Sequence, residues 1–198
     1  MRERALPRKM RMALRDFFRS SRRINQLNQD GRLLDHLTPH LQGVVALTAN
    51  QVWVNQVWYF RDTHTSHRGL EFIASLARSL VLRNYVKDER LPIGQLYILR
   101  RGLCVKMWRF LGAKKVWGED MILDVEELID HSQAVALTYV EVYTLRRLSL
   151  DSVLAEFDEP RAIVERARKR VRLQRAMLKY LTQAAGKVHS ARCRQPAL

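Results

Sequence analysis

The hydrophobic positions of this chain change their period twice, and the changes divide it into helical ends and a strand-rich middle. Up to about residue 80, apolar side chains recur at the three- and four-residue spacing of amphipathic helices. Over 81–145 they form short runs separated by proline and glycine, which is typical of strands joined by turns. After residue 147 the helical spacing returns. The pattern predicts an α+β fold.

The amino-terminal part is predicted to hold several short helices. The spacing favours an amphipathic helix over 7–22, a second helix that ends before Pro39, and a third from Pro39 to about Ala46 with Thr38 as its N-cap. The segment 50–60 is rich in aromatic residues, and we expect a helix or loop that packs these rings against the next domain. A further helix is predicted near residues 70–80.

The middle of the chain is predicted to form a small β-structure closed by helices. Short strands at regular spacing favour a sandwich or jelly roll. A short helix over 148–157 and a long helix from Pro160 to about Ala184 follow. The predicted strands are 80–85, 95–99, 103–110, 115–117, 134–138 and 141–145. The predicted apolar stripe of the long helix is Ile163, Val164, Ala167, Val171, Gln174 and Leu178.

Positive charge is concentrated at the two ends of the chain. The formal net charge is +15, and both 1–23 and 161–198 are strongly basic while the middle is close to neutral. A basic helix face is usually only solvated. The segment 166–181 also has the pattern of a helix that binds calmodulin, an anionic lipid headgroup or, less expected, nucleic acid. The basic residues that would meet such a partner are Arg166, Lys169, Arg170 and Arg172.

Several classes of protein are disfavoured by what the sequence lacks. No apolar run reaches about 18 residues, so we expect no transmembrane segment, and the arginine-rich start is only a weak match to a transit peptide. No catalytic motif is present, which predicts that the chain is not an enzyme and needs no cofactor. Cys104 and Cys193 fit a reducing compartment better than a disulfide framework.

Metal binding and base stacking compete here with simpler roles for the same residues. His36 with His40, and His64 with His67, have helical spacing for a metal, but neither pair has a convincing third ligand, so no metal site is expected. The tryptophans Trp53, Trp58 and Trp108 could offer a platform for bases, but packing is the favoured role.

Five short motifs occur in an order that resembles one family. They are LPRKMR at 6–11, LLDHLTPHL at 33–41, LYILRRG at 96–102, WGED at 117–120 and ALTY followed by VEV at 136–142. Together they resemble the C-linker and cyclic-nucleotide-binding domain of ether-à-go-go-like and cyclic-nucleotide-gated cation channels. The resemblance covers about residues 6–184.

The resemblance implies a domain organisation and a role. Residues 1–60 would be a helical C-linker hairpin, 61–185 a double-stranded β-helix (jelly roll) with a closing helix, and 186–198 a basic tail. The chain would then be a cytoplasmic regulatory module at the inner face of a membrane. Its partners would be the channel transmembrane domain and the neighbouring subunits of a homotetramer.

The family's ligand is a cyclic nucleotide, which this sequence fits only in part. Gly118, Glu119 and Asp120 match the segment whose glutamate binds the ribose, but the phosphate-binding arginine has no counterpart, since 121–145 contain no Arg or Lys. That stretch instead carries the carboxylates of Asp124, Glu126, Glu127 and Asp130, which would repel a phosphate. We therefore expect weak or no binding of cyclic nucleotide.

Three alternatives remain open at this point. The chain could be a cAMP or cGMP sensor with a divergent phosphate site, or a transcription-regulator relative that binds DNA, although few residues follow the long helix. Glu119 could also have no ligand role, and only close a turn or pair with Lys114 or Lys115.

Overall fold

The computed structural model describes residues 37–63 and 65–192, together with eight single positions between residues 7 and 18; beyond residue 181 only the backbone is described. The predicted helices before Pro39, together with Cys193, lie wholly or largely outside the described residues. None of the helices within the described ranges combines the length and hydropathy that crossing a bilayer requires.

The described helices flank a mixed helix and antiparallel-sheet fold, as the α+β prediction requires. Ser66 caps α2, because its side chain accepts a hydrogen bond of 3.1 Å from the Gly69 amide. The helices are α1 Pro39–Gln56, α2 His67–Ser79, α3 Arg147–Leu154 and α4 Asp158–Arg192.

Helix α1 continues ten residues beyond the predicted end at Ala46. The prediction was wrong because the apolar repeat stops there, whereas the helix is continued by polar contacts along its own surface. The Asn50 side-chain amide donates to the Ala46 carbonyl at 2.7 Å, and the Trp53 indole donates to the Asn50 side-chain oxygen at 2.7 Å. Helix α4 likewise passes its predicted end at Ala184.

Within the described ranges, seven strands form two antiparallel sheets. The first sheet has the order β1-β7-β2-β5 and the second the order β4-β3-β6. Buried side chains from both sheets, including Tyr97 and Cys104, form one cluster between them. The strands are β1 Val81–Tyr85, β2 Gln95–Arg101, β3 Cys104–Lys106, β4 Arg109–Leu111, β5 Val116–Trp117, β6 Val135–Ala136 and β7 Val140–Arg146.

The predicted single strand over 103–110 is instead a hairpin of β3 and β4. Its two-residue turn is Met107-Trp108, and both residues have positive φ, 48° and 62°. The prediction failed because the usual Asn or Gly signal of such a turn is absent. Trp108, expected to pack, is 97% exposed.

A second core cluster joins the helices to the first sheet. Trp53 is buried, and its ring lies edge-on to Phe60, with ring centroids 6.1 Å apart. Phe72 of α2 meets Phe157, just before α4, at 5.8 Å. Leu96 of β2 belongs to the same cluster. The prediction that the aromatic segment packs against the next part of the chain is confirmed, while the domain boundary at residue 60 stays a prediction.

Candidate functional site

Gly118 makes a close backbone turn directly after β5. Its φ is +83°, and a Cβ at this position would lie 2.0 Å from the Gln95 carbonyl oxygen. Only glycine fits such an approach without displacing β2. The turn leads into a 3-10 helix over Glu119–Ile122. The local fold therefore accounts for Gly118 without a ligand.

Asp120 is turned inward and engaged by the protein itself. The residue is 9% exposed, and its carboxylate accepts a hydrogen bond of 2.6 Å from the Asp130 amide. The same oxygen lies 3.6 Å from the Arg175 guanidinium of α4. Asp120 therefore ties the 3-10 helix to both the acidic loop and α4.

Glu119 is half-buried, and its backbone carbonyl accepts a hydrogen bond of 3.2 Å from the Tyr59 hydroxyl. Burial, and then the neighbouring charge of Asp120, raise the pKa of the Glu119 carboxyl. The alternative pairing with Lys114 or Lys115 is not formed. Within the described residues, no hydrogen bond or ion pair reaches this carboxylate. The ionised carboxylate is thus a cost to the fold.

We expect Glu119→Gln to stabilise the protein at neutral pH. The raised pKa means that Glu119 favours the folded state while it is protonated, and this contribution is lost as the pH rises through the folded-state pKa. The urea midpoint of the variant should exceed that of the wild type at pH 7 and converge with it in acid. A lower midpoint at pH 7 would mean that the carboxylate has a partner that stabilises it.

A small cavity lies beside Gly118. Its volume is about 10 Å³, roughly one water molecule, which is far too small for a nucleotide. The buried side-chain oxygen of Gln95, which has no hydrogen-bond partner within the described residues, belongs to a residue that lines it. Other lining residues are Tyr97, Lys106, Trp117, Gly118, Asp120 and Asp130.

A basic group does reach this cavity, from a strand that lies outside 121–145. The Lys106 ammonium of β3 lies 3.1 Å from the Asp130 carboxylate. Asp130 also accepts a hydrogen bond of 2.9 Å from the Ser132 amide. The stretch 121–145 contains no Arg or Lys, as the sequence shows, so the cation at this cavity comes from β3 and is already paired with the carboxylate of Asp130.

The pKa of Asp130 reflects these contacts. Burial alone would raise it, but the hydrogen bonds from Ser132 and the charge of Lys106 outweigh burial and lower the pKa to about 2. Asp130 therefore stabilises the folded state at any pH above the ordinary pKa of an aspartate. This contribution is lost as the pH falls toward 2.

We expect Lys106→Met to raise the pKa of Asp130 part of the way to its ordinary value, because the contacts from Ser132 remain. A carboxyl-carbon NMR titration measures this directly. The matched control is Lys115→Met, which removes an exposed lysine of the same charge. An Asp130 pKa that stays near 2 in Lys106→Met would show that Lys106 does not contribute to lowering it.

The acidic segment is neutralised largely by α4. Three basic residues at seven- and four-residue spacing place their charges on one helix face. Arg168 lies 3.8 Å from Asp124 and 2.8 Å from Asp151. The three α4 contacts to the acidic segment, here called the charge latch, are Arg168 with Asp124, Arg175 with Asp120 and Lys179 with Glu127.

The charge latch corrects the picture of an open acidic loop. Arg147 of α3 also pairs with Asp124, whereas Glu126 stays exposed. Most of the carboxylates expected to repel a phosphate are held by cations of the same chain. The spacing of Arg168, Arg175 and Lys179 is visible in the sequence and was the available signal.

The four basic residues singled out in the sequence lie on the exposed part of α4. Arg170 stacks over the Trp58 ring, 5.6 Å from its centroid, and Arg166 donates to the Ala162 carbonyl at 3.2 Å. Lys169 and Arg172 are exposed. These side chains do not converge on the cavity.

The apolar stripe of α4 is buried over a shorter length than predicted. Val164 and Ala167 are buried and Val171 packs against the core, but Gln174 and Leu178 are exposed. The apolar packing of α4 therefore ends near Val171, whereas Arg175 and Lys179 still contact the acidic segment farther along the helix. Leu173, Met177, Tyr180 and Leu181 are also exposed.

The histidines form a different pair from those considered in the sequence. His40 of α1 stacks on His67 of α2, with ring centroids 5.4 Å apart, and His67 lies 3.5 Å from Glu71. His36 and His64 lie outside the described residues, so neither of the pairs with helical spacing is tested.

Comparison with protein-family models finds no matching model. Comparison with curated proteins finds no match either.

Proposed function

We propose that this chain is the cytoplasmic regulatory module of a voltage-gated, ether-à-go-go-like potassium channel or a related cation channel. The strand order supports this, because a first strand paired with the last and two facing antiparallel sheets are expected of a double-stranded β-helix. The Gly118 turn falls after β5, where the family motif would place it.

The observation that carries the proposal is that α4 is held by the charge latch while the cavity beside Gly118 has room for only about one water molecule. In a nucleotide-gated relative, ligand would stabilise the closing helix. In this chain Lys106 is paired with Asp130, so the Asp130 carboxylate takes the place that a ligand phosphate would have beside this cation. The module would thus rest with its closing helix docked and with weak or no binding of cyclic nucleotide.

Regulation would be a coupling between two positions of α4, not catalysis. The contact between Phe72 and Phe157 links the start of α4 to α2, and α2 packs on α1. Movement of α4 would reach the C-linker helices by this route and bias the pore. The partners in this proposal are the channel transmembrane domain and the homotetramer neighbours, with calmodulin or an anionic lipid at Arg166, Lys169, Arg170 and Arg172.

A second candidate is a cAMP or cGMP sensor with a divergent phosphate site. Lys106 favours it, because its ammonium lines the cavity next to Gly118 and would meet a phosphate if Asp130 moved away. Binding would have to break the Lys106–Asp130 pair and enlarge a cavity of about 10 Å³. The sensor therefore predicts that Asp130→Asn strengthens binding of cAMP.

The proposed function is tested by placing this chain in an ether-à-go-go-like channel in exchange for its C-linker and cyclic-nucleotide-binding region. We expect voltage-dependent potassium current, a shifted activation curve in the double variant Arg175→Glu, Lys179→Glu, and no effect of cAMP. Arg161→Glu is the control, an exposed arginine of the same helix. A conducting chimera whose activation curve is the same with and without the double variant Arg175→Glu, Lys179→Glu would contradict the proposal.

A further inference from the structure

The tip of the β3–β4 hairpin projects large apolar side chains into water. Trp108 is 97% exposed, Phe110 71% and Met107 66%. Single exposed apolar residues are ordinary, but three adjacent ones at a protruding turn mark an interaction surface. We call Met107, Trp108, Arg109 and Phe110 the hairpin tip.

The backbone of this turn is held in a conformation that its residues disfavour. Lys106 pairs directly with Arg109, so Met107 and Trp108 are the whole loop, and both have positive φ. A two-residue turn of this kind prefers Asn-Gly. Strained non-glycine residues persist where function requires their side chains. The turn therefore presents Met107 and Trp108 at a cost in hairpin stability.

The hairpin segment carries only positive formal charge. No acidic residue occurs between Gly102 and Val116. Lys106 is already paired with Asp130, while Arg109 is exposed directly beside the turn. The apolar tip is thus accompanied by one exposed cation, and the exposed Lys114 and Lys115 follow at the far end of β4.

We propose that the hairpin tip inserts into the interfacial layer of an anionic lipid bilayer. The indole of Trp108 has an apolar body and one polar N–H, the combination favoured at the membrane interface, and Met107 and Phe110 add apolar area beside it. Arg109, beside the turn, complements anionic headgroups. The site is separate from the basic face of α4, and its role does not depend on the channel assignment.

Lipid is favoured over nucleic acid and over a protein by the composition of the tip. Stacking on bases would use the Trp108 and Phe110 rings but leave Met107 without a role. A protein groove would need matching polar partners, whereas the side chains of the tip offer as strong donors only the indole N–H and the Arg109 guanidinium. A fluid interface accepts all four side chains.

The test uses the full chain with phosphatidylcholine vesicles, with and without phosphatidylserine. Trp53 and Trp117 are buried and Trp58 is half-buried beneath Arg170, so a change in tryptophan emission that persists in Trp58→Phe reports on Trp108. We expect a blue shift and quenching by brominated lipid with the anionic vesicles. Trp108→Ser should abolish both and weaken vesicle binding about tenfold, and Trp58→Phe should leave both unchanged.

A second variant separates binding from folding. Met107→Asn with Trp108→Gly installs the preferred turn, so it should resist urea better than the wild type and yet lose vesicle binding. The proposal is overturned if the wild type does not bind anionic vesicles, or if Trp108→Ser binds them as tightly as the wild type does. It is also overturned if Trp108→Ser abolishes self-association or duplex DNA binding while vesicle binding is unaffected.

Discussion

Replacing Gly118 with alanine is expected to lower the free energy of unfolding by about 3 kcal/mol or more. The new Cβ would meet the Gln95 carbonyl oxygen at 2.0 Å, and the backbone φ of +83° disfavours any side chain. The steric clash and the backbone strain would both disturb the junction of β5 and β2. This junction supports the 3-10 helix of Glu119 and Asp120. Urea unfolding at a constant m-value measures the loss.

Two other glycines separate the contributions to this loss. Gly94 has a φ of +75° but open space around it, so Gly94→Ala should cost only about 1 kcal/mol. Gly112 has neither a positive φ nor a close neighbour, and Gly112→Ala should be neutral or slightly stabilising. If Gly118→Ala costs no more than Gly94→Ala, the close approach to Gln95 does not constrain the fold.

Replacing Arg168 with methionine is expected to lower the free energy of unfolding by about 2 to 3 kcal/mol. The Arg168 side chain is only 15% exposed, and it lies between Asp151 at 2.8 Å and Glu165 at 2.7 Å. Methionine keeps the packing of the aliphatic stem but leaves these carboxylates without their shared cation. The urea midpoint and the far-ultraviolet helix signal report the loss.

Arg172→Met is the matched control for this change, because Arg172 is exposed on the same helix. It should alter the free energy of unfolding by less than about 0.5 kcal/mol. Since exposed ion pairs are screened, added salt should weaken the contribution of Lys179 more than that of Arg168. Equal losses in Arg168→Met and Arg172→Met would show that the charge latch does not hold α4 in place.

The sheet was predictable because its strands carry local signals. Gly94 and Gly102 stand at the ends of β2, and the apolar runs between such turns set the strand bounds to within about two residues. The β3–β4 hairpin lacked such a signal. Its two-residue turn is Met107-Trp108, whereas turns of this type usually have the sequence Asn-Gly.

The site was less predictable because its contacts join distant parts of the chain. Gly118 was identified from its motif, but the pairing of Lys179 with Glu127 spans 52 positions and depends on the docking of α4. Lys106 was missed because its strand is far from the acidic loop in sequence. Local patterns reveal the turn, whereas the identity of its partners depends on the tertiary fold.

The central claim is that α4 stays docked against the acidic segment without cyclic nucleotide. The most direct test is the distance between spin labels at Gln174→Cys on α4 and Lys87→Cys just after β1, in a Cys193→Ser background where Cys104 stays buried. We predict one narrow distribution that does not change with cAMP or cGMP at about 1 mM. A distribution that shifts or narrows when nucleotide is added would contradict the claim.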